Sequence, residues 1–474
     1  MYTKINEKVI KGKNTYVVIL FLYTLFISVL MCNFAVFIFG NLLSLMVLKT
    51  IDLLYFENRV SMYRLATCSW MIGMAVCIII YYCYLITNGE PYLMSDDFVF
   101  DEYWSNLCIN NSYYTVGQMV QNREFANHNS VGYVLLIAYL KRASKYIGGY
   151  HTLIPRILNI TLLNISALIS VRIAKICWEV TEVEEKNIFK WITLFPNCIY
   201  LCSHVYRDML VTFLVVLVFY LWLGFRKRNI LQKSIIIAIT LLIINIMYYI
   251  REFGVLIILI ITFLNFLDFN RKTYSKNHTT SKRIMKYICC MIIFIGICVL
   301  FNNKFRYILH EMYGYSVRWS TIYNQGSRFY KVLGSISDNL IISTLMKCVY
   351  YIFTPMNGQL FNPFRWTSFL DLIVSIITIG TFATFYLLPY VIKRLVRLDN
   401  VAIAFLAIYV GTAATTTGFR HILLCYPFFF MLGVVGKYNV AEVVRDDNRI
   451  AISLSICAFV FIYYVIRVGG SIWL

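Results

Sequence analysis

The chain has 474 residues and a formal net charge of +20, with 60% hydrophobic, 17% aromatic and only 14% charged side chains, against the roughly 25% charged of an ordinary soluble domain. Apolar character spread over the whole length needs lipid as its solvent, which excludes a water-soluble enzyme and predicts one polytopic membrane domain over residues 1–474. The positive charge falls in short links between apolar runs, which excludes nucleic acid as the partner and points to loops facing an anionic cytoplasmic leaflet.

A span needs about 20 apolar residues, and the side of each loop follows from its Lys and Arg content. The first 14 residues carry Lys4, Lys8, Lys11 and Lys13, and the apolar run after them has no small-residue cleavage site, so it reads as an anchor with a cytoplasmic N-terminus. Residues 15–56 are about twice a span in length, broken near Asn33 to Asn41, and predict a tight helical hairpin. Residues 63–87 then exit to an outer loop at about 88–151. Its first part holds Glu90, Asp96, Asp97, Asp101, Glu102 and Glu124 against Arg123 alone. Residues 131–147 are apolar but short and interrupted by Lys141, Arg142 and Lys145, the pattern of an amphipathic helix lying in the interface.

Further spans are predicted at 152–176, 188–205, 208–225, 234–250, 253–269 and 287–301. The links after 225 and 269 hold the basic clusters Arg226 to Lys233 and Arg271 to Lys286. A second outer loop at about 302–366 follows, with an interfacial piece at 340–353. It carries Lys304, Arg306, Arg318, Arg328, Lys331, Lys347 and Arg365 against Glu311 and Asp338. Spans at 368–391, 401–417, 419–435 and 450–466 complete an all-α membrane protein of about 13 transmembrane helices with two large outer loops.

The 14 cysteines lie mostly inside apolar runs, and the chain has no CxxC, no HExxH and no Cys/His spacing suited to zinc, so no metal, disulfide framework or cofactor is expected. Chemistry is sought in the acidic segment instead. Asp96, Asp97, Asp101 and Glu102 fall within SDDFVFDEYW, close beyond a membrane exit, where a carboxylate removing a proton from an acceptor hydroxyl is best placed. A helical turn puts Asp97 and Asp101 on one face, where two near carboxylates raise the proton affinity of one. Asp97 or Asp101 is the expected base, with Asp96 and Glu124 dispensable. Arg420 with His421 begins a span on the same face, where a forked guanidinium suits a phosphate; Arg207 and Asp208 can pair with each other at a helix start, and Arg251 with Glu252 reads first as a structural cap at an outer turn.

The order of these features resembles the GT-C superfamily of membrane glycosyltransferases, which includes protein O-mannosyltransferases and the bacterial aminoarabinose transferase. The elements that carry the resemblance are DEYW (101–104), HNSVGYVLLIAYL (128–140), IPRILN (154–159), LFPNCIY (194–200), YRDMLVTFL (206–214) and GFRHILLCYPF (418–428). The chain departs from that pattern in its three spans before the acidic loop, and in Asn129 to Val131 where the family's amphipathic helix carries prolines. O-antigen polymerases are a weaker, compositional resemblance.

The resemblance implies an inverting sugar transferase in a bacterial-type inner membrane, working on its outer face. Its donor is a polyprenyl-phosphate or diphosphate sugar and its acceptor a saccharide or lipid. On this reading Asp97, Asp101, Glu102 and Asp208 are the catalytic candidates, and Arg207, Arg251, Arg318, Arg328, Arg420 and His421 hold the substrate. A repeat-unit polymerase uses the same parts. A lipid-linked oligosaccharide flippase is the alternative without chemistry, disfavoured because charges stand at span ends and not within spans.

Overall fold

The computed structural model of the protein describes residues 2–55, 59–93, 96–122, 125, 130–267, 369–415 and 419–438, with scattered residues of 268–368 and 439–474. Among the described residues every regular element is helical, and five helices are long and apolar enough to cross a membrane. The chain is a membrane protein by this criterion. The spans expected at 287–301 and 450–466, the basic link at 271–286 and most of the second outer loop, with Arg318 and Arg328, lie outside the described residues.

Helices α1 (Tyr2–Leu30) and α2 (Phe34–Leu54) make the expected hairpin. It turns at Asn33, whose side chain caps α2 by accepting from the Val36 N–H at 3.1 Å and donates to the Gly149 carbonyl at 3.2 Å. Gly148 and Gly149 both have φ in the left-handed region (114° and 88°), and a Cβ on Gly148 would meet the Phe34 side chain at 3.1 Å. Glycine here lets the hairpin tip dock against the end of the segment 88–151.

Helix α3 (Arg59–Asn88) leads into the acidic segment. This segment starts with α4 (Asp96–Phe98), continues through a π-helical turn (Val99–Trp104) into α5 (Ser105–Asn110), and ends in the capped turn α6 (Val116–Val120) and helix α7 (Val131–Lys145). Helix α8 (Leu153–Trp178) is the axis of the molecule, with 89% of its apolar window buried against α2, α3, α9 and α11. The span expected at 188–205 is instead two pieces, α9 (Glu182–Thr193) and α10 (Pro196–Cys202). Pro196 at the first position of α10 cannot donate back into α9, and Phe195 before it is extended, so the helix breaks there.

Helices α11 (Asp208–Trp222), α12 (Ile230–Ile250) and α13 (Glu252–Leu267) follow, then α14 (Phe369–Leu395), α15 (Asn400–Thr415), a 3-10 turn (Phe419–Leu424) and α16 (Tyr426–Tyr438). The span expected from residue 419 therefore begins as a 3-10 turn, and its α-helix starts at Tyr426. Cys348 and Tyr351, from the piece read as interfacial, contact α15. The Tyr409 hydroxyl donates to the Cys348 carbonyl at 2.5 Å, and the rings of Tyr351 and Tyr409 lie 5.5 Å apart.

Side-chain contacts sort the loops into two ends. At the basic end Arg394 bonds Asp399 at 3.1 Å, Trp178 donates to the same carboxylate at 2.9 Å, and Arg226 lies over Phe266. At the acidic end the Asn33 turn, the segment 88–151 and the starts of α8, α11, α13 and α16 converge. Peripheral α1 and α12 have only 22% of their apolar windows buried, and their exposed Phe26, Val29, Leu241 and Leu242 form the surface that lipid covers.

Candidate active site at the acidic end

Asp208 opens α11, where a carboxylate suits the positive end of the helix dipole, and it is 4% exposed. Its Oδ1 accepts from Arg251 Nη1 at 2.5 Å and from His421 Nδ1 at 3.0 Å, and Arg420 Nε lies 3.8 Å from Oδ2. Three basic side chains from two distant links thus converge on one carboxylate. Arg207 beside it is buried, donates from Nη1 to the Ile250 carbonyl at 2.9 Å and lies over the Phe100 ring. Burial and the guanidiniums of Arg251 and Arg420 push the His421 imidazole down to about 3, so it is neutral, and because the carboxylate can only accept, its proton is on Nδ1.

Arg420 reaches outward from this cluster. Its guanidinium lies over the Tyr206 ring at 5.4 Å, and Nη1 pairs with the Asp96 carboxylate. Asp96 is 46% exposed and Arg420 26%. Arg207, Asp208, Arg251, Arg420 and His421, all singled out from the sequence, are therefore brought together. Asp96 joins them as a member that sequence reasoning set aside.

Asp97 and Asp101 lie elsewhere, both fully buried. Asp97 accepts from the Val205 N–H at 2.5 Å and faces Arg156 at 3.6 Å. Arg156, itself fully buried near the start of α8, donates to the Pro91 carbonyl at 2.5 Å. Asp101 accepts from the hydroxyls of Tyr92 (2.8 Å) and Tyr150, with Lys141 4.0 Å away. Burial raises the Asp101 carboxyl above its ordinary value, opposed by Lys141 and by the hydroxyl donors. Among the described residues the two aspartates have no hydrogen-bond or ion-pair partner in common. The π-helical turn between them widens the spacing that a regular helical turn would have set, so the coupled pair expected from an i, i+4 relation does not form.

Glu102 is 37% exposed; it accepts from Tyr92 at 3.0 Å and Asn106 at 2.9 Å and faces Lys141 at 3.6 Å. Lys141, expected at an interface, points inward and is 8% exposed. Its neighbour Arg142 stacks over Tyr114 at 4.2 Å. The sequence signal for this inward turn is a lysine set inside an apolar run. His204 is buried, bonded through Nε2 to the Tyr84 hydroxyl at 2.9 Å and stacked on Tyr206; burial and Arg156 push it down to about 3, which makes it a neutral packing group. Among the described residues no group of three or more His, Cys, Asp and Glu side chains is arranged to hold a metal ion.

The cluster presents forked cations fixed by a buried carboxylate, next to one accessible carboxylate. Such a set can bind an oxyanion and, beside it, take a proton from a hydroxyl. No family model matches the chain, and no curated protein and no solved structure matches it significantly.

Proposed function

We propose that the protein is a membrane glycosyltransferase of the GT-C type, moving a sugar from a polyprenyl-phosphate or diphosphate donor to a saccharide or lipid acceptor in cell-envelope synthesis. The observation that carries this reading is the convergence of Arg207, Arg251 and Arg420 on one end of the bundle around Asp208, with the half-exposed Asp96 in contact with Arg420. The proposal extends to a bacterial-type inner membrane, about 13 spans, a cytoplasmic N-terminus and the acidic end outside, in keeping with Arg226 to Arg228 and Arg394 at the opposite end.

On this reading the donor enters sideways from lipid and its phosphate meets Arg420 and Arg251, which Asp208 and His421 hold in place. The acceptor hydroxyl attacks the anomeric carbon and gives its proton to a carboxylate. The bond from that carbon to the phosphate oxygen breaks, and the departing phosphate keeps the electron pair beside the guanidiniums. Asp96 is the base we favour, because Asp97 and Asp101 are enclosed with buried partners while the Asp96 side chain is half exposed. Glu102 is the other accessible carboxylate of the segment.

The test is deletion of the gene and complementation, with surface lipids and polysaccharide analysed by mass spectrometry. Loss of one sugar substituent, restored by wild type but not by Asp96→Asn, supports the transferase; a positioned base is worth about a hundred- to ten-thousand-fold. Chains only one repeat unit long point to a polymerase, intermediates trapped inside point to a flippase, and an unchanged envelope overturns the proposal.

A further inference from the structure

Arg420 serves two carboxylates that differ in how firmly they are held. Asp208 is 4% exposed, stands at the start of a helix and is bonded by Arg251 and His421. Asp96 is 46% exposed, and its pairing with Arg420 is a single contact through Nη1. The guanidinium is fixed from beneath, by Tyr206 against its face and Asp208 near its Nε. Asp96 is the movable partner. An ion pair this exposed is worth about fivefold in an equilibrium constant at most, whereas a phosphate or diphosphate group offers several oxygens that match the guanidinium fork.

We propose that Asp96 is an internal stand-in for the anionic ligand: it occupies Arg420 in the free protein, and an incoming phosphate or diphosphate group displaces it. The consequence is an order of binding. While Asp96 rests on Arg420, the oxygen that would accept a proton is engaged; once phosphate takes the guanidinium, the carboxylate swings free beside the newly seated ligand. Arg207 and Arg251 stay in place through this exchange because their partners, the Ile250 carbonyl and Asp208, are buried. This inference rests on the proposed function for the identity of the anion but is read by binding alone.

The test uses the full chain in phosphatidylcholine nanodiscs at low salt, titrated calorimetrically with farnesyl phosphate, inorganic phosphate and farnesol. Removing the competing carboxylate by Asp96→Asn, and independently by Asp96→Ser, is expected to tighten farnesyl phosphate binding about fivefold. Arg420→Ala is expected to weaken binding and to cancel the effect of Asp96→Asn when the two are combined, since a shared partner makes their effects non-additive. Tightening for farnesyl phosphate alone identifies a lipid headgroup as the ligand; equal tightening for inorganic phosphate identifies free phosphate. Unchanged or weaker affinity in both Asp96 variants overturns the inference while leaving a phosphate site standing. Absence of phosphate binding in every variant overturns both. Tightening in Asp96→Asn with an unaltered envelope in the deletion strain keeps the displacement and removes the transferase.

Discussion

Arg156 is a cation with no exposed surface, and its stability depends on Asp97 facing it at 3.6 Å. Removing one member of a fully buried pair leaves an uncompensated charge and costs about 3–5 kcal/mol, whereas replacing both with apolar groups is often neutral. Asp97→Ala is therefore expected to lower thermal stability in detergent sharply, and Asp97→Ala with Arg156→Met to recover most of it. Recovery of folding without that second change would show that the pair carries no such weight. Asp101 gives a pH signature. Its folded carboxyl is raised above the ordinary 3.8 by burial, so its stabilising contribution is complete below about pH 3.8 and is lost as pH rises through the raised value. Melting temperature is expected to fall as pH rises above about 3.8, with a flatter profile in Asp101→Asn. An equally steep profile in that variant would assign the dependence to another group.

Among the elements, hairpin α1–α2 and spans α3, α8 and α12 were legible because unbroken apolar runs leave little freedom in lipid. The second half of the site was less so. A hydropathy window cannot separate the continuous span read at 188–205 from the broken pair α9 and α10, although Pro196 is a visible signal. It also cannot see that residues after 419 begin as a 3-10 turn, the geometry that puts Arg420 and His421 beside Asp208. Nor does a regular helical repeat foresee the π-helical turn at Val99–Trp104, which gives Asp97 and Asp101 separate partners, while Asp96 stays half exposed. The cations of the site were readable as span-end charges; the choice among adjacent aspartates needed three dimensions. Helix packing offers its own test. A Cβ on Gly436 of α16 would lie 2.4 Å from the Tyr390 carbonyl oxygen of α14, and backbone cannot yield as a side-chain tip does. Gly436→Ala is expected to cost about 1–3 kcal/mol, seen as a lower melting temperature; an unchanged one would mean the two helices can part freely.

For the whole molecule, the two ends differ in charge, and that difference sets the orientation we propose. Single-cysteine variants in a background stripped of reactive thiols check it. With a membrane-impermeant reagent applied from outside, Ser112→Cys and Ser327→Cys are expected to react and Ser275→Cys to remain protected. The reverse pattern would invert the assignment. Asp208 meets Arg251 across 43 residues of sequence but His421 across 213. At a synthesis rate of about 5–20 residues per second, the first pairing is possible within seconds of insertion, while the second waits roughly ten to forty seconds for the ribosome to deliver His421. Through that interval the nascent protein holds an Asp208–Arg251 pair but lacks the arginine on which Asp96 rests. Messages cut short before residue 420 would therefore yield chains that lack Arg420 and His421 and never acquire a complete anion site, so the site exists only once chain more than 200 residues beyond Asp208 has been made.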